Sequence, residues 1–415
     1  MAKRKSAEEP IEDVARETDV NKLTKELIRA FNGKSTEKVA WNLATDVDNP
    51  TDVKSFISTG STILDYLICN RPNGGVPEGK LTEISGEEAS GKSLLCAHII
   101  ANTQKAGGIA IYIDTENAAH PAFMRQVGVD LNKMVYLQPG TIESVFDHID
   151  KTIAMARAKD VKKPVTIIWD SVAATPPQAE VDGTYDPTSQ IGLMARTISK
   201  GMRKLTDTVG KERITLVFTN QLKTKIGVMY GDPLTTPGGK AIPYHASVRI
   251  RLTSSTKLKN VQDDDETGQD KGDVYGIRTL AKVVKSRLGP PLRRCEFEIH
   301  FDKGVDDEGS WLTCLHERGI ISKSNGFTVM DYAGKEKRFR ESRWKDELRD
   351  RAFRDFVLDV LNQSLVVRYD LKPIDQEIDP ESLMEVEAVA DVIGEQKIVP
   401  PRPDVDDGLG VEVSV

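Results

Sequence analysis

Four short apolar stretches alternate with longer segments of mixed polarity in the central part of the chain. Lys80–Ile84, Ile109–Asp114, Val165–Asp170 and Ile214–Gln221 are rich in branched and aromatic residues, which favour strands. The segments between them are long enough for helices, beginning with Leu94–Ala106. Buried strands joined by helices predict a parallel sheet covered on both faces. We therefore predict an α/β fold with a central, mostly parallel sheet.

The two flanks have different patterns. Residues 1 to about 20 are charged and poor in large apolar groups, which is typical of a disordered segment. An amphipathic helix is predicted over Val20–Asn32, and it must pack on the body of the protein or on another subunit. Its apolar face consists of Leu23, Leu27, Ile28 and Phe31. Beyond Asp302 the pattern becomes helical, most clearly over Trp344–Gln363.

Composition excludes several classes of protein. Of 415 residues, 29% are charged and 39% hydrophobic, which describes a soluble globular chain of two or three domains. No apolar run approaches the roughly 20 residues of a spanning helix, and the basic start lacks the apolar stretch of a secretory signal. The cysteines have neither metal-ligand spacing nor a disulfide pattern, so we predict a reduced, cytoplasmic protein. They are Cys69, Cys96, Cys295 and Cys314.

The net charge of -7 is concentrated in one segment. Leu371–Val415 contains 12 acidic and 3 basic residues, a net of -9, so the rest of the chain carries +2. Several prolines interrupt this tail, and we predict that it is disordered. A tethered acidic tail would compete with a polyanionic ligand for the cations of the preceding helix; a merely solubilising tail is the alternative. Those cations are Lys345, Arg349, Arg351 and Arg354.

The sequence GEEASGKS lies between the strand predicted over Lys80–Ile84 and the helix predicted over Leu94–Ala106. It matches the GxxxxGK[ST] pattern, in which successive backbone N–H groups face phosphate oxygens at a helix N-terminus. Gly86 and Gly91 permit the turns, Lys92 reaches the β- and γ-phosphates, and the Ser93 hydroxyl binds magnesium. The other residues of this loop are Glu87, Glu88, Ala89 and Ser90. We predict binding of ATP with Mg²⁺; a chance glycine-rich turn is the alternative.

Three polar residues follow predicted central strands. Asp170 would face the same magnesium ion, although a helix N-cap is an alternative role. Glu116 would align a water molecule on the γ-phosphate, which suits hydrolysis better than a kinase reaction; an ordinary solvated carboxylate is the alternative. Gln221 would contact the γ-phosphate and report its presence to the segment that follows, unless it is simply a polar strand end.

Two loops have the composition of a nucleic-acid surface. Leu222–Gly239 is long and basic at Lys223 and Lys225, and it also carries apolar side chains. Cations neutralise phosphates and apolar side chains insert between bases, so this loop suits a nucleic-acid strand; a protein partner or a core role is the alternative. Glu180–Gln190 is a second candidate loop. The helix after it carries a basic row that is either a DNA contact or a solvated face, namely Arg196, Lys200, Arg203 and Lys204.

Taken together, these motifs resemble the RecA family of homologous-recombination ATPases. The motifs, in the family's order, are ISTGSTILDYLI, GEEASGKS, IDTENAAHP, WDSVAAT, GLMARTISKGMRKL, NQLKTKIGVMYGDPLTTPGGKAIPYHASVR and KVVKSRLGPP. The resemblance covers about Ser55 to Asp302 strongly and continues weakly to about Tyr369. The insertion in the first loop and the long tails are similar to those of bacteriophage members.

The resemblance implies a function and roles for individual residues. It implies a DNA-dependent ATPase that forms helical filaments on single-stranded DNA, pairs it with homologous duplex DNA and exchanges strands in recombination and repair. Loader and single-strand-binding proteins would be further partners. Glu116 matches the catalytic glutamate, Phe123 an aromatic ring over adenine, and Lys285 and Arg287 two cations that reach the ATP of the neighbouring subunit. The implied DNA-binding residues are Gly183, Gln190, Ile191, Arg196, Arg203, Lys223, Lys225, Ile226, Gly227, Val228, Met229, Gly238 and Gly239.

The resemblance also implies a domain organisation. Residues 1–56 would form an N-terminal segment with an oligomerisation helix, 57–303 a RecA-like P-loop ATPase core with two DNA-binding loops, 304–369 a smaller C-terminal α/β domain and 370–415 the acidic tail. His120 departs from the family's usual acid near adenine, and Pro176 and Tyr244 depart at positions linked with subunit contacts. A hexameric RecA-fold helicase remains an alternative, as does an ATP-gated DNA-binding scaffold without turnover.

Overall fold

The computed structural model describes residues 19–33, 38–46, 49, 51–159, 163–183, 192–224, 233–260 and 273–368. The chain divides after Val367, and the second part, Arg368–Val415, lies outside these ranges except for its first residue. The predicted acidic tail therefore lies outside the described residues.

A nine-stranded sheet forms the centre of the fold. Its strands are β3 (Leu81–Gly86), β4 (Ile109–Asp114), β5 (Met134–Leu137), β6 (Val165–Asp170), β7 (Ile214–Gln221), β10 (Val248–Lys259), β11 (Val274–Ser286), β12 (Arg294–His300) and β13 (Gly304–Val305). The spatial order is β13-β12-β11-β10-β3-β7-β6-β4-β5. The six strands from β10 to β5 are parallel, and β11, β12 and β13 continue the sheet in antiparallel pairs. The predicted mostly parallel sheet is confirmed.

Smaller sheets and the helices surround this centre. The small strands are β1 (Phe56–Ile57), β2 (Val76–Pro77), β8 (Lys223–Thr224), β9 (Leu234–Thr235), β14 (Ile321–Ser324), β15 (Phe327–Tyr332) and β16 (Lys335–Phe339). The helices are α1 (Asp19–Asn32), α2 (Thr62–Cys69), α3 (Lys92–Lys105), α4 (Pro121–Gln126), α5 (Ile142–Ala158), α6 (Gln178–Val181), α7 (Leu193–Lys211), α8 (Ala241–His245), α9 (Asp307–Glu317), α10 (Trp344–Glu347) and α11 (Arg351–Leu365).

Alternation along the strands separates two hydrophobic cores. In β4, Ala110 and Tyr112 join the core that contains α2 and α3, whereas Ile111 and Ile113 join the core that contains α5 and α7. Because successive side chains of a strand point to opposite faces, a strand with a helical layer on each face is apolar along its whole length. This is why the central strands are continuous apolar runs in the sequence.

The C-terminal segment differs from its predicted helical pattern. Between α9 and α10 the chain forms the antiparallel sheet β14-β15-β16, which the apolar pattern did not indicate, although the family resemblance implied an α/β domain here. The single helix predicted over Trp344–Gln363 is also wrong, because the chain leaves the helix after α10 and restarts at Arg351. The Asp350 side chain accepts a hydrogen bond from the Ala352 N–H and caps the new helix. Phe353, Val357 and Trp311 nevertheless belong to the same apolar core as α2 and α3.

The apolar face of α1 is exposed to solvent. Leu23, Leu27 and Phe31 are 56%, 47% and 60% exposed, and Ile28 is half-buried. Of the two packing alternatives drawn from the sequence, burial on the body of the same chain is therefore not what the described residues show. This face is available to another molecule.

A buried carboxyl group makes stability depend on pH. Burial raises the pKa of Asp65 from 3.8 to about 7, although its carboxylate accepts hydrogen bonds from Ser58 and Thr59. Since the folded-state pKa lies above the unfolded one, the folded protein holds a proton between these pH values that the unfolded chain has released. The resulting stabilisation is fully present below about pH 4 and is lost as the pH rises to about 7.

Asp65→Asn removes this titration and tests it. From about pH 5 to about pH 8 we expect the free energy of unfolding of the parent to fall by about 2–3 kcal/mol relative to the variant. Urea titrations across that range measure the difference, with the exposed Asp355→Asn as the control. Parallel pH curves for the parent and Asp65→Asn would contradict the assignment.

Candidate active site

Strand register brings the predicted nucleotide-binding residues to one edge of the sheet. Gly86 at the end of β3 lies opposite Gln221 at the end of β7, and Asp114 of β4 lies opposite Asp170 of β6. The carboxyl ends of parallel strands form the ligand-binding edge of such sheets. The phosphate loop, Asp170, Gln221 and the turn that carries Glu116 therefore share one site.

The phosphate loop requires glycine at both predicted positions. Gly91 is left-handed (φ 96°), and a Cβ atom there would lie 2.5 Å from the Ile299 Cδ1 atom. A Cβ atom on Gly86 would lie 2.8 Å from the carbonyl oxygen of Leu252. Helix α3 begins at Lys92, so its first N–H groups face the loop, and this is an anion site.

The Lys92 ammonium group lies over the loop that precedes it. It donates hydrogen bonds to the carbonyl oxygens of Gly86 (3.2 Å) and Glu87 (2.7 Å). Burial lowers the pKa of Lys92, and the charges of Asp170 and Glu116 oppose that shift. The three groups are therefore close enough to share one electrostatic environment. Ser93 is exposed in the first turn of α3.

Asp170 is held in one orientation by two hydroxyl groups. The carboxylate is 4% exposed and accepts hydrogen bonds from the Tyr112 hydroxyl (2.6 Å) and the Thr219 hydroxyl. Burial and the nearby Asp170 charge raise the pKa of Tyr112, which keeps it a donor. The alternative role as a helix N-cap does not hold, because the next described helix begins at Gln178.

Glu116 is exposed but has defined contacts. One carboxylate oxygen accepts a hydrogen bond from the Ser171 hydroxyl, at the end of the neighbouring strand. The Glu116 N–H donates to the Asp114 carboxylate at 3.0 Å. The carboxylate is thus directed along the edge that carries Asp170, rather than freely solvated.

A buried polar network connects this edge to the predicted DNA loop Leu222–Gly239. The Asn220 amide, next to Gln221, donates to the Glu83 carboxylate (3.2 Å) and to the Pro237 carbonyl oxygen (3.1 Å). Glu83 is fully buried and forms an ion pair with Arg249. The network therefore links the end of β7 to the C-terminal part of this loop, and the neighbouring Gln221 is exposed.

Loss of the Arg249 side chain would leave the Glu83 carboxylate buried without its counter-ion. We expect Arg249→Ala to lower the free energy of unfolding by about 3–5 kcal/mol. Arg278→Ala breaks a partly exposed pair with Glu298, where the expected loss is about 1 kcal/mol or less. Urea denaturation of both variants measures the contrast, and equal small losses would show that the buried pair is not essential.

The C-terminal end of the predicted DNA loop Leu222–Gly239 lies against α7. Arg196, Lys200, Arg203 and Lys204 are exposed along this helix, while its opposite face is buried. Lys204 forms an ion pair with Asp150. Gly239 is so close to α7 that a Cβ atom there would lie 3.0 Å from Ala195 Cβ.

The remaining predicted DNA contacts divide into described and undescribed positions. Gly183 and Lys223 are exposed, and Gly238 is buried in a left-handed turn (φ 93°). The predicted contacts outside the described residues are Gln190, Ile191, Lys225, Ile226, Gly227, Val228 and Met229.

Lys285 and Arg287 lie towards the opposite ends of the central strands from the phosphate loop. Lys285 pairs with Arg249, which lies opposite Glu83 near the start of β3. Three residues, about 10 Å of strand, separate this level from Gly86. The Lys285 ammonium donates to the carbonyl oxygens of Pro243 (2.7 Å) and Tyr244 (3.1 Å) in α8, and Arg287 also donates to Tyr244 (3.1 Å).

Other cations surround this pair. Burial lowers the pKa of His245, and the charges of Arg287, Arg203 and Lys285 lower it further. The pKa of Lys285 is likewise lowered by burial and then by Arg287 and Arg249. The neighbouring cations therefore disfavour the charged forms of His245 and Lys285, and a nearby anion would stabilise those forms.

Residues implied near adenine have different surroundings. Phe123 is half-buried on the apolar core beside α3. The His120 imidazole accepts a hydrogen bond from the Phe123 N–H (3.4 Å) and caps α4, a role that the sequence analysis did not anticipate.

Two residues at positions linked with subunit contacts also have defined surroundings. The Pro176 carbonyl oxygen accepts a hydrogen bond from the Ile142 N–H (2.9 Å), and Tyr244 is 65% exposed.

The cations proposed as targets of the acidic tail already have acidic neighbours. Lys345 pairs with Asp306 (2.8 Å), and Arg354 pairs with Glu308 while its guanidinium lies 4.9 Å from the centre of the Trp311 ring. Arg349 and Arg351 also form pairs within their own segment. A competing tail would have to displace these contacts.

Sequence reasoning missed the residues that hold the predicted site residues in place through hydrogen bonds. Tyr112, Asp114, Ser171, Thr219 and Asn220 all contact a predicted site residue or its backbone. The available signal was a polar residue inside or directly after an apolar strand. Such a residue needs a buried hydrogen-bond partner, and strand ends supply those partners here.

In the part of the chain that the structure describes, no helix has the length and apolar character needed to cross a membrane.

Comparison with known proteins gives one consistent result. The family model for the RecA N-terminal domain matches residues 30–306. Protein RecA of Ruminococcus albus is 42% identical over 277 residues, which are 66% of this chain and 65% of that protein. Protein RecA of Chlorobium limicola is 40% identical over 65% of this chain and 72% of its own length. Protein RecA of Chlorobaculum parvum is 37% identical over 78% and 86%, respectively. The chain thus spans just under two thirds of the first relative and more of the others.

Proposed function

Because the chain belongs to the RecA family, we propose that it is a DNA-dependent ATPase that forms helical filaments on single-stranded DNA and exchanges strands with a homologous duplex. One observation supports this most directly. Gly86, Gln221, Asp170 and Asp114, two residues before Glu116, lie at a single edge in the strand register, and β7 leads from this edge into the loop Leu222–Gly239. Nucleotide state and DNA contact would therefore meet at adjacent residues.

The residues at this edge fit ATP with Mg²⁺. Gly86 and Gly91 leave room where a Cβ atom would collide, and the N-terminus of α3 offers N–H groups to phosphate oxygens. The Ser93 hydroxyl and the Asp170 carboxylate would hold Mg²⁺, which prefers such oxygen ligands. The bound ion would supply neutralisation of phosphate charge.

Glu116 would orient the water molecule that attacks the γ-phosphate and accept its proton. The Ser171 hydroxyl fixes one oxygen of this carboxylate and leaves the other for water. Lys92 would exchange its two carbonyl contacts for phosphate oxygens, a stronger charge-assisted interaction.

Gln221 and Asn220 would couple the nucleotide to DNA. Gln221 is exposed at the site. The Asn220 amide donates a hydrogen bond to the Pro237 carbonyl oxygen, near the C-terminal end of the loop Leu222–Gly239. A γ-phosphate contact at Gln221 would therefore bias the loop at both its ends. The exposed cations of α7 and Lys223 would then neutralise DNA phosphates.

Lys285 and Arg287 would complete the ATP site of a neighbouring subunit. In their own chain they lie away from the phosphate loop, and their side chains donate hydrogen bonds to the carbonyl oxygens of Pro243 and Tyr244. A head-to-tail assembly brings opposite edges of two copies together, and it propagates as a helix when the rotation does not close. The exposed apolar face of α1 would provide a further contact between subunits.

Electron microscopy with single-stranded DNA and a slowly hydrolysed ATP analogue tests this function. We expect helical filaments that depend on both ligands. A strand-exchange assay with homologous and heterologous duplexes then tests the reaction. Closed six-membered rings without strand exchange would favour the helicase alternative, and DNA binding without ATP turnover would favour the scaffold.

A further inference from the structure

The turn that carries Glu116 is organised by a single buried carboxylate. Asp114, at the end of β4, is 2% exposed. Its two oxygens accept hydrogen bonds from the N–H groups of Glu116 (3.0 Å), Ala118 (3.4 Å) and Ala119 (2.9 Å). A carboxylate is only an acceptor, and three N–H groups converging on it fix the path of the turn.

A fourth hydrogen bond to Asp114 comes from the edge strand β5. The Tyr136 hydroxyl donates to Asp114 at 2.9 Å, although the tyrosine is 41% exposed. The Tyr136 oxygen in turn accepts from the Gln138 amide (2.8 Å), which also donates to the Asn117 side chain. Burial and the hydrogen bond to Asp114 raise the pKa of Tyr136, so it remains a donor at neutral pH.

Packing does not explain this arrangement. An exposed tyrosine on an edge strand contributes little to an apolar core, yet its hydroxyl reaches a buried carboxylate of the adjacent strand. Asn117, at the tip of the turn, has a left-handed backbone (φ 55°), and Gln138 holds its side chain. Asp114 thus binds the backbone of the turn, Tyr136 binds Asp114, and Gln138 binds the Asn117 side chain.

We propose that Asp114 and Tyr136 are positioning residues for Glu116, and that they set its carboxylate for proton transfer without contacting nucleotide. The inference rests on the proposed ATPase function. A catalytic group displaced by about 1 Å can lose about 10²-fold in rate, so small changes in this turn should appear in turnover rather than in binding.

Tyr136→Phe is the main test, because it removes one hydroxyl from an exposed side chain and should leave the fold intact. We expect kcat for DNA-stimulated ATP hydrolysis to fall about 5–10-fold, the loss that one hydrogen bond accounts for, with KM for ATP unchanged. Tyr275→Phe is the matched control, since Tyr275 is a similarly exposed tyrosine on β11 whose ring contacts His300. Asp114→Asn should have a larger effect in the same direction.

A double-mutant cycle separates positioning from a general structural role. In a Glu116→Gln background, Tyr136→Phe should change the residual single-turnover rate by less than about twofold, because there is no carboxylate left to position. An equal loss in both backgrounds, an unchanged kcat in the parent background, or a raised KM would each overturn the inference. If the parent protein hydrolyses no ATP, the proposed function fails and this inference fails with it; active parent with active Tyr136→Phe overturns the inference alone.

Discussion

Replacing Glu116 with glutamine is expected to lower DNA-stimulated ATP hydrolysis by about 10²–10⁴-fold, the usual contribution of a general base. The amide keeps the size of the side chain and can still accept a hydrogen bond from Ser171, but it cannot take the proton of the attacking water. Nucleotide and DNA binding should persist, because the phosphate loop, Lys92 and Asp170 are unchanged. The measurement is turnover beside ATP-dependent binding to single-stranded DNA.

Glu317→Gln serves as the control for this experiment, since Glu317 is an exposed carboxylate in α9. It should keep parental turnover. If Glu116→Gln hydrolyses ATP at the parental rate, Glu116 is not the base. If it loses DNA binding as well, its role in the turn is architectural.

Mixing two inactive variants is expected to restore ATP hydrolysis if the site is shared between subunits. Lys92→Ala removes the phosphate-loop cation, and the Lys285→Ala/Arg287→Ala double variant removes the two cations that lie away from the loop. Loss of such charges lowers the rate of phosphoryl transfer by about 10³–10⁵-fold. In an equal mixture that assembles at random, about one quarter of head-to-tail interfaces combine an intact loop with intact cations.

The recovered activity should therefore approach about a quarter of the parental rate and vary with the mixing ratio. Co-assembly of the two variants is verified first by capture of differently tagged chains on DNA. Without recovery at any ratio, in filaments shown to contain both chains, Lys285 and Arg287 do not act in trans. A Lys285→Ala/Arg287→Ala variant that is active alone would show that the two cations are dispensable.

Apolar periodicity was sufficient to predict four adjacent strands of the central sheet, β3, β7, β6 and β4, whereas β5, β10, β11, β12 and β13 were not predicted. β4, β6 and β7 have the predicted bounds, and β3 extends two residues beyond the predicted Ile84 to reach Gly86. These strands are buried on both faces, so each is a continuous apolar run with a polar residue at its end. The same property indicates from the sequence alone that Asp170 and Gln221 lie at one edge of the sheet.

The C-terminal segment could not be predicted in this way. Strands β15 and β16 have one exposed face and carry several charges, so the sequence from Phe327 to Phe339 has no long apolar run. The break before α11 depends on a local interaction, because the Asp350 side chain caps the new helix at its N-terminus. Short, solvated elements of this kind are determined by tertiary contacts more than by periodicity.

Within the site, sequence identified groups that we expect to contact ligands and missed the groups that hold those residues in place. Asp114, Asn220 and Glu83 are polar residues in buried strands, and their roles depend on which strands are neighbours. That information comes from the pairing of β3 with β7 and of β4 with β5 and β6. The separation of Lys285 from the phosphate loop likewise requires the register of β10 and β11.

The location of Lys285 and Arg287 away from the phosphate loop has a consequence for the ends of an assembly. If each complete site needs the loop of one subunit and the cations of the next, a row of n subunits contains n − 1 complete sites, and one terminal subunit keeps its ATP. Specific activity should then be zero for monomers and rise towards a plateau as rows lengthen. The two ends would also differ in nucleotide state. The terminal subunit with the unmatched loop would stay bound to ATP, while the interior subunits hydrolyse theirs. Growth and loss would consequently be distinguishable at the two ends of a single filament.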